Sequence, residues 1–122
     1  MILLTSTSDL LQIVTGATQS IQVHASWIDS TGTTTTPSRQ NTIITTATTT
    51  TVVASPTSGV ARDVKAMIVE NTGTVAEQVT VQHTDGTHVV RLVSMSLPAG
   101  SALEWAGKSG WRLVNSTGTR QL

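Results

Sequence analysis

Cysteine is absent from all 122 residues, which excludes disulfides, thiolate metal centres and cysteine nucleophiles together. Phe and Tyr are absent too, so Trp27, Trp105 and Trp111 are the only aromatic residues. With no other ring to fill a core, these three are expected to plug it. Charge is scarce: Asp, Glu, Lys and Arg make up 11% of the chain, against roughly 25% in ordinary soluble domains. The seven acidic and seven basic residues cancel and are scattered. No basic run offers the footprint that nucleic-acid binding needs, so no nucleic-acid partner is expected. No apolar stretch approaches the roughly 18–20 residues that span a bilayer, and no membrane partner is expected. Met1-Ile-Leu-Leu-Thr-Ser6 is too short and lacks the basic flank of a secretory signal. The chain is expected to be made in the cytosol and to stay soluble or assemble there.

Threonine fills the gap left by charge, with 24 residues that include the runs 33–36 and 48–51. Its branched Cβ suits a pleated strand and its hydroxyl can face water. A chain rich in Thr, Val and Ile and poor in Lys and Glu favours strands over solvated helices. Low charge also weakens repulsion between copies, which suits a protein bound to itself or to a larger surface.

Taken in order, Met1–Leu4 reads as a short apolar strand or arm and Leu10–Val14 as a second strand, joined by turn residues Thr5–Asp9. Ser20–Asp29 alternates, with Ile21, Val23, Ala25 and Trp27 on one face and Gln22, His24 and Ser26 on the other. That is a half-buried antiparallel strand. The stretch 29–38 is polar and holds Pro37, so a loop is expected there. Strands follow at 42–46 and 50–54, and Ser55–Gly59 is a break. The segment 60–71 reads as a central strand with Val64, Ala66 and Ile68 on one side and Met67 and Val69 on the other. Asp85-Gly86 between two alternating runs signals a hairpin with a type I′ turn. Counting outward pairs Thr84 with Thr87, His83 with His88 and Gln82 with Val89. The second arm ends at Pro98-Ala-Gly100. Short strands at 101–105 and 111–114 flank a turn at 107–110 that includes Ser109. The expectation is a single all-β domain over 1–122, with 1–9 as an N-terminal arm and 115–122 as a loose tail. Its architecture is an antiparallel β-sandwich or jelly roll of about eight strands with little or no helix.

His83 and His88 are the sharpest candidates for chemistry. Cross-strand Cβ atoms lie about 4.5–5.5 Å apart, within reach of a shared metal. A third ligand is missing, because Asp85 sits in the turn and His24 lies on a distant strand. A polar pair near a loop tip is the competing reading, and no metal or cofactor is expected. Asp63, Glu70, Glu77 and Glu104 show no acid–base pairing and read as solvated rims. No nucleophile elbow, phosphate loop or dinucleotide fingerprint occurs. No catalytic residue is expected, and the chain does not read as an enzyme. Arg39, Arg62 and Arg91 are candidates for ion pairs across an interface, and Trp105 or Trp111 for a subunit contact.

Several segments together carry a resemblance. They are Met1-Ile-Leu-Leu-Thr-Ser-Thr-Ser-Asp-Leu-Leu-Gln12, Thr49-Thr-Thr-Val-Val-Ala-Ser-Pro-Thr-Ser-Gly-Val-Ala-Arg-Asp-Val-Lys65 and Ile68-Val-Glu-Asn-Thr72. Val79-Thr-Val-Gln-His-Thr-Asp-Gly-Thr-His88, Leu97-Pro-Ala-Gly-Ser-Ala-Leu-Glu-Trp105 and Gly110-Trp-Arg-Leu-Val114 complete them. The chain resembles small β-sandwich virion proteins of tailed bacteriophages. The resemblance implies a structural protein of the particle, most of all a head decoration or cement protein on the capsid surface. Its partners would be the major capsid protein and copies of itself, as a homotrimer. It carries over no catalytic residue. Met1, Ile2, Leu3 and Leu4 are then interface candidates, an arm able to add to a neighbour's sheet edge, together with Arg39 and Trp105. Two other classes compete with this reading. One is a tail or fibre component whose 30–38 loop and His83/His88 tip bind a receptor or carbohydrate. The other is a small metal-dependent jelly-roll enzyme.

Overall fold

The computed structural model describes residues 1–107, 110–118 and 120–121. It is all-β: two antiparallel sheets pack face to face in a sandwich, and no α-helix occurs among the described residues. Among the described residues the strands are β1 (Ile2–Leu4), β2 (Leu10–Thr15), β3 (Ile21–Thr31), β4 (Thr34–Ile44), β5 (Thr49–Val53), β6 (Ala61–Asn71), β7 (Glu77–Thr84), β8 (Val89–Leu97), β9 (Ala102–Trp105), β10 (Trp111–Val114) and β11 (Arg120–Gln121). The larger sheet has the order β11-β10-β9-β6-β3-β4, and β1 pairs with β6 beside that path. The smaller sheet has the order β5-β2-β7-β8.

The core is the space between the sheets. The alternating residues of β2, β3, β6 and β7 point into it, and Leu11, Ile13, Ile21, Ala25, Val79 and Val81 are fully buried. Trp27 and Trp105 are part of the same buried cluster. Trp105 also meets Trp111 across the β9–β10 pair, ring centroids 6.3 Å apart and planes tilted by 44°. The expected half-buried strand at Ser20–Asp29 is thus β3, with the predicted inward face.

Six sequence expectations change. The stretch 29–38 is a β-ribbon: β3 and β4 pair through Thr31–Thr34 around a two-residue turn. Branched Thr side chains fit the pleat, and Gly32 supplies the positive φ of 66°. Pro37 is tolerated because β4 is the last strand of its sheet.

The N-terminal segment is tied down in its own chain, with Ile2, Leu3 and Leu4 opposite Val64, Asp63 and Arg62 of β6. Leu4 is fully buried, so as an interface candidate it offers no surface. The segment is apolar because it closes a core, and pairing on β6 uses the backbone groups along one side of it.

On β6, Val64, Met67 and Val69 face inward while Ile68 is 43% exposed. A bulge causes this: Ser26 pairs with Ala66 but Trp27 with Val64, leaving Lys65 extra and reversing the alternation.

The Asp85-Gly86 hairpin has a four-residue loop. Thr84 pairs with Val89, His83 with Val90 and Gln82 with Arg91. A type I′ turn needs positive φ at Asp85, but only Gly86 has it, at 93°.

Trp105 is 6% exposed and packs in the core, so as an interface candidate it offers little surface. The tail, finally, is partly ordered, with Val114 opposite Arg120 and Leu113 opposite Gln121. Lys108 and Ser109 of the predicted 107–110 turn, and Thr119 and Leu122 of the tail, lie outside the described residues.

Candidate functional site

The outer face of the larger sheet carries a surface depression that local sequence leaves unexplained. Alternation turns Gln22 and His24 of β3 outward because their neighbours fill the core. Pairing sets Asn41 and Ile68 on either side of His24, and Ile43 and Glu70 on either side of Gln22. These six residues line a shallow depression of about 370 Å³. Its apolar part is Ile43, 67% exposed, and Ile68. Its polar part is organised by one contact, His24 Nδ1 donating to Asn41 Oδ1 at 2.6 Å. The surface can offer hydrogen bonds and an apolar shelf to another molecule. It assembles no nucleophile with a base.

The free edge of β4 borders this depression. Residues from Thr34 to Arg39 are exposed on both faces of the strand, so the β3–β4 ribbon projects past the smaller sheet. Arg39 sits there exposed and forms no ion pair among the described residues. Of the N-terminal candidates, Met1 is 76% and Leu3 46% exposed, and Ile2 is half-buried.

The two histidines of the hairpin are separated in role. His83 points inward at the end of β7, its Nε2 3.8 Å from Asp9 Oδ1. His88 lies in the loop with Nδ1 3.5 Å from Asp85 Oδ2. They are not opposite each other, because Val90 takes the place facing His83. No group of three or more His, Cys, Asp or Glu side chains able to hold a metal occurs among the described residues.

Both neighbouring carboxylates are structural. Asp9 accepts from the N–H groups of Thr5 at 2.7 Å and Ser6 at 3.1 Å, fixing the β1–β2 turn. Burial pushes its carboxyl up, but the bonds from Thr5 and Ser6 and the nearby His83 outweigh that and hold it below the usual value. Asp85 Oδ1 accepts from the N–H groups of His88 at 2.6 Å and Thr87 at 2.8 Å. Those two bonds, His88's first, lower its carboxyl to about 2.

Sequence reading missed three polar anchors. Arg62, a candidate for an intermolecular ion pair, is paired with Asp29 of its own chain at 2.8 Å. Glu77, expected at a solvated rim, is buried, and its Oε1 accepts from Ala17 N–H at 2.7 Å. It faces inward because it shares parity with Val79 and Val81 on β7, a signal the alternation did carry. Asn71 is fully buried: its Nδ2 donates to the carbonyls of Val75 and Leu97, and its Oδ1 accepts from Gly73 N–H. It staples the end of β6 to the start of the β7–β8 pair.

The chain matches no protein-family model, no curated protein and no solved structure.

Proposed function

We propose that this protein is a structural component of a tailed-bacteriophage particle, a decoration protein that binds the major capsid protein on the head surface and stabilises the lattice. The sequence resemblance motivates the reading. The single structural feature that supports it is the long, charge-poor edge of β4 beside the exposed Ile43 and Ile68. A module built to dock on a repeating surface needs such a contact region and no reaction centre. In this role the protein uses no cofactor and carries no catalytic residue. It is assembled in the host cytoplasm and resides in the virion. Electron microscopy of purified particles tests the proposal. Density for this sandwich at regular positions on the head is expected; its presence only on the tail, or its absence from particles, overturns it.

A second reading, a receptor- or carbohydrate-binding tail or fibre component, is favoured by one observation. The projecting ribbon presents exposed Thr31 and Thr33–Thr36 to the surroundings. Binding of labelled protein to host cells that is lost when residues 31–36 are replaced by Gly and Ser supports this second reading. Binding that survives the replacement removes it.

A further inference from the structure

We propose that the protein pairs with a second copy of itself through β4, the two strands running antiparallel about a two-fold axis beside Asn41, so that the larger sheets of both copies become one. The edges of the two sheets are not equivalent. Among the described residues, β11 has two residues and β1 three. The edge strand β5 carries a bulge, since Leu11 pairs with Val53 and Gln12 with Thr51. The edge strand β8 carries another, since Val81 pairs with Val93 and Gln82 with Arg91. Short strands and bulges are the devices that keep sheet edges from pairing. By contrast, β4 is eleven residues long and in unbroken register with β3.

The direction of its backbone groups sets how a partner strand can add. Thr31 and Thr34 close a two-residue turn and so form a hydrogen-bonded pair. Alternation from there makes 30–35, 28–37, 26–39, 24–41 and 22–43 the non-bonded pairs, whose β4 members turn N–H and C=O away from β3. Pro37 falls in that outward set, which is why it leaves the β3–β4 ladder intact. It also removes the outward N–H at its own position. The usable window is therefore Arg39, Asn41 and Ile43.

That window is self-complementary, as a two-fold contact requires. Centred on Asn41, it sets Arg39 opposite the partner's Ile43 at both ends and brings no like charges together. Centring on Arg39 would place the partner's Asn41 against Pro37 and lose a hydrogen bond at each end. Centring on Ile43 would run past the strand end at Ile44. The side chains agree with the backbone. Ile43 is 67% exposed, and the aliphatic stem of Arg39, which has no ion pair among the described residues, can cover it. Zero net charge leaves two copies without long-range repulsion.

This contact goes beyond the virion reading and does not depend on it. It also differs from the three-fold association that the resemblance implies.

Sedimentation equilibrium of the full chain from micromolar to millimolar concentration tests it. The wild type is expected to be a dimer at the upper end. Asn41→Pro deletes the outward N–H, as Pro37 does natively, together with the exposed His24–Asn41 side-chain bond, and should raise the dimer dissociation constant by about a hundredfold with an unchanged strand spectrum; Asn41→Ala, which loses only the side-chain bond, should leave the constant within a few-fold of wild type. Ile43→Lys sets a like charge against the partner's Arg39 twice and should weaken the dimer about tenfold. Ile43→Glu sets an opposite charge there and should not weaken it. A wild type that stays monomeric at millimolar concentration, or forms a trimer, overturns the proposal. So does an equal effect of Ile43→Lys and Ile43→Glu. A dimer would occupy the β4 edge invoked above for the capsid contact, so decoration is decided separately, by the microscopy of particles.

Discussion

Arg62 and Asp29 face each other across the β6–β3 pair and are joined by two parallel hydrogen bonds, Nε to Oδ1 at 2.8 Å and Nη2 to Oδ2 at 3.0 Å. The third arm of the guanidinium donates to the Ala54 carbonyl at 2.7 Å, and its Cζ lies over the Trp27 ring, 4.7 Å from the centroid. One side chain thus ties together β3, β6 and the end of β5 while covering the rim of the core. Both partners are mostly shielded, at 14% and 22% side-chain exposure. The pair therefore ranks above an exposed ion pair, worth about 0–1 kcal/mol, and below a fully buried one, where losing a partner costs about 3–5 kcal/mol.

Arg62→Ala is expected to lower unfolding stability by about 2 kcal/mol. Arg62→Lys should recover less than half of it, because an ammonium cannot hold both carboxylate oxygens and the Ala54 carbonyl in one plane. Urea unfolding followed by Trp fluorescence measures both. Equal stability of Lys and Arg at this position would show that the fork geometry is unimportant.

Trp105→Ala is expected to cost about 3–5 kcal/mol, since it empties a large volume between the sheets and strips Trp111 of its neighbour. Trp105→Leu should cost less, in proportion to the smaller void. Neither should change self-association measured under folding conditions, because Trp105 is buried in its own chain. A variant that folds normally yet alters assembly would return Trp105 to the surface.

Asp85 should titrate near pH 2. Its folded value of about 2 lies below the ordinary 3.8, so the unfolded chain binds a proton first as pH falls. Its contribution to stability is complete above about pH 4 and is lost as pH drops through about 2. Asp9, also lowered, acts in the same direction. Carboxyl NMR should show the Asp85 midpoint near 2, and Asp85→Asn should remove that titration while its amide oxygen still accepts in the loop. A midpoint near 3.8 would mean that the Thr87 and His88 bonds do not form in solution.

Gly86 and Gly32 both adopt positive φ, at 93° and 66°, yet they differ in surroundings. A Cβ on Gly86 would stand 3.0 Å from Ser8 Cβ, whereas nothing lies within 4 Å of one on Gly32. Gly86→Ala should therefore cost about 2 kcal/mol and Gly32→Ala about 1 kcal/mol. Gly32→Asn should be close to neutral, because Asn tolerates this region. Thermal unfolding of the three variants tests the order; equal losses for both alanine variants would mean the Ser8 approach has no cost.

The inward face of β3 was legible because Ile21, Val23, Ala25 and Trp27 repeat at the strand period, and the same holds for Val79 and Val81 of β7. The outer depression was not legible. His24, Asn41 and Ile68 come from three strands, and nothing local in any of them specifies the others as neighbours. Asn41 also lies on β4, whose first half is the Thr- and Pro-containing stretch read as loop and whose extended state depends on pairing with β3.

What the sequence determined by itself was class and local direction. Absent Cys, scarce charge and abundant Thr and Val dictate strands without staples, and alternation dictates which side chains seek the core. Tertiary structure decided partners and phase. The Lys65 bulge turns Ile68 outward, Asp85 uses its carboxylate to close a four-residue loop, and Ile2–Leu4 dock on β6. The physical reason is common to all three. Strand propensity is a property of neighbours in the chain, whereas register is fixed by hydrogen bonds and packing between segments far apart in it. One inserted residue reverses every face that follows.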